Sequence, residues 1–186
     1  MKKRLSKKAL ISVCTLIAVL LVLIIWTIWG NTALMVSTVT VSSNRIPTAF
    51  NGFLIAQVSD LHNAVFGENN AELLQILSEC KPNIIVVTGD LVDAEHTDID
   101  VALDFAKEAA QIAGTYYVTG NHEGSLSQYD ELKTGLESMG VVVLEDTSMQ
   151  LEYNGEKVTL IGLSDPSFTL LSLIHISEPT RLGMIS

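Results

Sequence analysis

"KPNIIVVTGDLVD", residues 81–93, decides the fold. Pro82 introduces an apolar run of β-branched residues, Ile84, Ile85, Val86 and Val87, which reads as a buried strand that stops at Gly89-Asp90. Outward from it, helices and strands alternate. Upstream, "AELLQILSEC" at 71–80 predicts a helix capped by Asn69 or Asn70, and "FLIAQVSDLH" at 53–62 a strand that is apolar until its end. Downstream, residues 100–114 predict a helix with Gly114 as its stop, 115–123 the next strand, and 128–140 a helix ended by Gly140. Three short strands are expected over 141–165, the last two joined at Asn154-Gly155, a two-residue hairpin signal. This order argues for right-handed βαβ crossovers and an α/β fold with a largely parallel sheet.

Before this comes a different kind of sequence. The opening "MKKRLSKK" carries Lys2, Lys3, Arg4, Lys7 and Lys8, and residues 9–30 then run without a charge. As a helix that run is about 33 Å long, enough to cross a hydrocarbon core of about 30 Å. A signal peptide would have a shorter apolar region followed by a small-x-small cleavage site, which "TIWGNTALM" does not offer. An uncleaved anchor is therefore expected over 9–30, with Trp26 and Trp29 at the far interface and residues 1–8 cytoplasmic by the positive-inside rule. The globular part is then extracytoplasmic. Residues 31–43 serve as linker, with a first strand expected in the alternating "MVSTVTVS" at 35–42.

All 21 Asp and Glu residues follow the anchor, and a net charge of −10 for the whole chain leaves that part still more acidic. Such a surface does not neutralise phosphates, so nucleic-acid binding is not expected. Cys14 lies in the membrane run and Cys80 stands alone beyond it, so no disulfide forms within the exported part.

Three successive strands end alike: "VSDLH" brings Asp60 and His62, "VTGDLVD" brings Asp90 and Asp93, and "VTGNHE" brings Asn121, His122 and Glu123. In an open parallel sheet ligands bind beyond the carboxyl ends of the strands, where these residues should converge. Strand alternation would aim Asp60 and His62 to one side. Carboxylate, imidazole and amide oxygen together suit Mn, Fe or Zn. Gly120 would let the backbone approach closely, and Glu123 reads equally well as an outward carboxylate at a helix start.

In combination, Asp60-Leu61-His62, Gly89-Asp90-Leu91-Val92-Asp93 and Gly120-Asn121-His122-Glu123 resemble the calcineurin-like metallophosphoesterase superfamily, in particular its bacterial membrane-anchored branch. The resemblance extends over about 44–168 and implies the N-terminal half of a four-layer α-β-β-α sandwich preceded by one transmembrane helix. It implies hydrolysis of phosphomonoester, phosphodiester or pyrophosphate bonds by a hydroxide bound to two divalent or trivalent ions. By position, Asp60 and His62 would hold the first ion, Asp90 would bridge both, and Asn121 would hold the second. His122 would contact the phosphate and assist the leaving oxygen, oriented by Asp93. Substrates at the bilayer or in the cell envelope are expected.

The family also supplies a later His and a Gly-His-x-His segment, and neither is in this sequence, so the 186-residue chain is expected to be inactive. Residues 171–181, "LSLIHISEPTR", can be back-translated into a transposase adaptor used in sequencing-library preparation, so residues 169–186 are expected to be a non-native tail on an incomplete domain. The competing functional reading is a non-catalytic, membrane-anchored domain that binds a structural ion or a partner.

Overall fold

The computed structural model describes residues 7–32 and 34–166. Lys2, Lys3, Arg4, the side chain of Trp29 and the expected non-native tail from 169 lie outside the described residues. The chain divides into two compact units, Met1–Thr40 and Val41–Ser186.

In the first unit, helix α1 covers Lys7–Thr32, about 39 Å of helix at 1.5 Å per residue. Its Leu10–Thr27 window has a mean hydropathy of 2.8 and none of it is buried. The hydroxyls of Thr15 and Thr27 donate to the carbonyls of Ile11 and Leu23, at 3.0 and 2.8 Å, so these polar atoms are satisfied within the helix. A hydrocarbon surround demands that internal satisfaction. By length and composition α1 can cross a membrane.

The strand expected at 35–42 does not form; the described residues there are irregular, with Met35 and Val39 more than four-fifths exposed. Alternation states which side chains would share a face, but a strand also needs a ladder partner, and no described strand pairs with this segment.

In the second unit four parallel strands lie in chain order: β1 (Ile55–Val58), β2 (Ile84–Thr88), β3 (Gly114–Val118) and β4 (Val142–Val143). Crossovers run through α2 (Ala71–Cys80), α3 (Ile99–Ile112), then the short α4 (Asn121–Gly124) and α5 (Tyr129–Ser138). Because strand order follows chain order, right-handed crossovers place these helices on one face. That face carries Ile85, Val87 and Tyr117, all nearly inaccessible, and the helices supply Leu73, Leu77, Phe105, Ala109, Leu132 and Leu136 to the same core. Each large apolar side chain so buried contributes about 1.5–3 kcal/mol. The opposite face, with Val86, Tyr116 and Val118, is half-buried.

Local chemistry sets the element ends. Asp98 caps α3 by accepting from Val101 N at 3.3 Å. Gly114 does not stop α3: the helix ends at Ile112, Ala113 is extended, and Gly114 opens β3. The chain passes straight from helix to strand, so no left-handed residue is required there. Strands β5 (Thr147–Tyr153) and β6 (Glu156–Gly162) pair antiparallel around Asn154-Gly155, whose φ values of 50° and 83° are those of the expected tight hairpin turn. Tyr153 packs on Phe50 and Phe53, and Ala49 N donates to Glu156 at 2.6 Å. The end of β6 reaches the half-buried face, where Gly162 lies against Val118 and Leu144. The fold is thus mixed α/β, with a parallel sheet, helices on one side and a small second sheet.

Candidate metal centre

The strands β1, β2 and β3 finish level: Val58 is paired with Val87, and Thr88 with Val118. Beyond these ends the chains stay tied, with Asp60 N donating to Gly89 O at 3.2 Å, His62 N to Asp90 O at 2.9 Å and Asn63 N to Leu91 O at 3.1 Å. Asp60, His62, Asn63 and Asp90 all have positive φ, between 45° and 59°. For residues bearing a Cβ this costs about 1–2 kcal/mol each, and such clustering marks sites where side-chain direction outweighs backbone comfort. Regular strand structure ends at Val58, so Asp60 and His62 are brought to one side by left-handed turns and not by strand alternation.

The result is a compact group. Nε2 of His62 lies 4.0 Å from Oδ1 of Asp60 and 4.0 Å from Oδ2 of Asp90. The ligand atoms of Asp60, His62 and Asp90 all fall within 4.8 Å of one another, and so do those of His62, Asp93 and His122. Asp90 is buried, and the buried Nδ1 of His62 has no hydrogen-bond partner among the described residues. Two carboxylates converging with an imidazole nitrogen, and paired with no Lys or Arg among the described residues, fit a cation.

His122 sits at the start of α4. Its ring crosses that of His62 edge-on, with centroids 4.4 Å apart, and its main-chain N donates to Asp90 Oδ1 at 2.9 Å. Nδ1 of His122 accepts from Ala94 N at 3.0 Å, so the neighbour of Asp93 makes this hydrogen bond and the Asp93 carboxylate does not. Asp93 Oδ1 instead accepts from the main-chain N–H groups of Glu95 and His96, at 2.8 and 2.9 Å. Chiefly the His96 N–H, then that of Glu95, hold the Asp93 carboxyl below its ordinary value. Asn121 begins α4 with its side chain exposed.

Gly120 is required where it stands. A Cβ there would lie 2.3 Å from Asp90 Oδ1 and 2.5 Å from Asp90 N. The close approach expected of this glycine is what joins the β2 and β3 ends.

Two polar residues carry more than the sequence disclosed. Glu123 points inward, fully buried, and accepts from Gly120 N, Asp90 N, Leu91 N and Val92 N. Its spacing of three from Gly120 is that of a capping box, a signal that could have marked it as inward. Asn63 ties the next loop: Oδ1 accepts from Asp93 N at 2.8 Å and Asp98 N at 3.2 Å, and Nδ2 donates to Asp98 O at 2.6 Å. Nothing in "DLHN" announces that role. Beneath the site, burial first and then the charge of Glu123 push the Tyr117 hydroxyl far above the ordinary tyrosine value.

Residues 53–176, about two thirds of the chain, match the family described as calcineurin-like phosphoesterase. The chain belongs to that family. Members of the calcineurin-like phosphoesterase family bind divalent metals, which agrees with the donor set at the strand ends. The chain is similar to the "Transmembrane protein with metallophosphoesterase domain" of Bos taurus, 27% identical over 73% of this chain and 32% of that protein. It is also 30% identical to the uncharacterized metallophosphoesterase YkoQ of Bacillus subtilis, over 61% of this chain and 43% of YkoQ. Among solved structures, the phosphopantetheinyl hydrolase PptH of Mycobacterium tuberculosis aligns with a TM-score of 0.44 and 21% identity, over 59% of this chain and 41% of its own. The chain thus spans less than half the length of each of these proteins.

Proposed function

We propose that this chain carries the strand-end portion of a two-metal site with which the intact protein hydrolyses phosphate esters, whether monoester, diester or pyrophosphate. The convergence of Asp60, His62 and Asp90 within 4.8 Å carries the reading. Asp60 and His62 would hold one ion, Asp90 would be shared, and Asn121 would offer its amide oxygen to the second; Mn, Fe and Zn all suit such donors. When bound, the ions would supply Lewis-acid polarisation of the phosphoryl group and activation of water.

The remaining residues would bind the phosphate. Because Nδ1 of His122 accepts the Ala94 N–H, Nε2 is the nitrogen left to carry hydrogen, and from there it would donate a hydrogen bond to the phosphate or the leaving oxygen. Asp93, held ionised by two main-chain donors, keeps a negative charge near that ring. In this reading residues 9–30 are the anchor after a cytoplasmic segment 1–8, 31–43 the linker, 44–168 an incomplete phosphoesterase domain, and 169–186 a non-native tail. Tethered outside the cytoplasm, the site would meet phosphate esters of the bilayer or cell envelope.

Within this chain His62 is the one imidazole of the proposed metal set, so the 186-residue chain alone should bind metal without robust turnover. Titration of the full chain in detergent with Mn²⁺, beside Asp90→Asn, tests the assignment. Loss of the shared carboxylate should weaken binding at least about tenfold. Equal affinity in the two proteins would mean that the strand ends are solvated turns. Rapid hydrolysis of bis-p-nitrophenyl phosphate by the unaltered chain would overturn the inactivity.

A further inference from the structure

We propose that Glu123 is a positioning residue that fixes Asp90 for metal binding, a role resting on the reading of Asp90 as a ligand. Residues 89–92 follow β2 but belong to no strand, and Leu91 and Val92 are almost wholly buried. Their N–H groups have no ladder partner, and an orphaned buried donor costs free energy comparable to a lost hydrogen bond. Glu123 supplies the acceptors. Oε1 accepts from Leu91 N at 2.8 Å and Val92 N at 3.3 Å, while Oε2 accepts from Asp90 N at 2.9 Å and Gly120 N at 2.8 Å.

One carboxylate therefore holds the loop bearing Asp90 to the turn bearing His122. The tie is returned by Asp90, whose Oδ1 accepts from His122 N at 2.9 Å, leaving Oδ2 facing His62 Nε2 at 4.0 Å. Asp90 also sits at φ 50°, a conformation that would relax if its main-chain N–H were released. The geometry demands an acceptor at both oxygens. Gln in place of Glu has the same shape, but its NH₂ group would face two N–H donors, so a role in packing alone would survive Glu123→Gln while the clamp would not.

Amide exchange of the full chain in detergent, without metal, tests the clamp directly. In the unaltered protein Leu91 and Val92 should exchange as slowly as the β2 core although they lie outside it; fast exchange there overturns the proposal even if no variant folds. Glu123→Gln should speed exchange across 90–92 and weaken Mn²⁺ binding about tenfold or more. Leu136→Ala, a core truncation away from the site, controls for lost stability and should keep the Mn²⁺ affinity. Weakening by Asp90→Asn but not by Glu123→Gln would end the positioning role and leave the metal site standing. If Asp90→Asn changes nothing, the metal reading itself falls.

Discussion

At the scale of residues, the site depends on how closely two main chains approach. Gly89 and Gly120 face each other so tightly that a Cβ on Gly89 would lie 2.7 Å from Gly120 Cα. Gly120→Ala would drive a methyl group into the carboxylate and main-chain nitrogen of Asp90, neither of which can rotate away without releasing Glu123 or His122. Overpacking of this kind costs about 1–3 kcal/mol. Urea unfolding should show that loss, and a Mn²⁺ titration should show weaker binding, since Asp90 must move to make room. An alanine variant with unaltered stability and affinity would mean that the β2 and β3 ends are not packed in this way. Much of this was legible: Asp60, His62, Asp90 and Gly120 stand at fixed distances after apolar runs, and chemistry at a strand end is uncommon. Glu123 was less so, because a carboxylate at a helix start faces solvent or core according to what lies across from it. Here that is the 89–92 loop, about thirty residues away in sequence.

At the scale of elements, α5 is fastened to the β4–β5 connection by Glu145. Its carboxylate accepts from the Tyr129 hydroxyl and from Lys133 Nζ, the latter at 2.6 Å. Burial alone would raise the Glu145 carboxyl, but the hydrogen bonds from Lys133 and Tyr129 outweigh it and hold it below its ordinary value. Lys133 is raised, first by that same hydrogen bond. A lowered carboxyl contributes stability that is present above its unfolded pKa and lost as pH falls through the folded one; a raised lysine contributes until pH climbs through its folded value. The cost of Lys133→Met should therefore be level around neutrality, at about 0.5–1 kcal/mol for a partly exposed pair, and should shrink below about pH 4. Thermal unfolding of both proteins across pH checks this; a difference that grew in acid would rule the pair out as the cause. The helices themselves were legible because their apolar periodicity is local. The strand expected at 35–42 and the stop expected at Gly114 do not form because each depends on a neighbour: a ladder partner in one case, the path into β3 in the other.

At the scale of the whole molecule, charge asymmetry argues orientation. Five cations precede the apolar run and every carboxylate follows it, so under the proposed reading the positive-inside rule would keep residues 1–8 in the cytoplasm and send the phosphoesterase domain across. The Bos taurus relative, named as a transmembrane protein, agrees with a membrane setting without fixing its sense. Protease added to sealed cells should digest the domain and spare a tag at the N-terminus, and a reporter joined after Phe168 should respond as an exported protein. Replacing Lys2, Lys3, Arg4, Lys7 and Lys8 with Asn removes the asymmetry without touching α1's apolar window, and should yield mixed orientation. A domain protected from protease in the unaltered chain would place the Asp60–His62–Asp90 cluster in the cytoplasm. Its phosphate esters would then be those of the cytoplasmic leaflet or soluble pool, and the envelope substrates would be excluded by topology, whatever the metal centre can cleave.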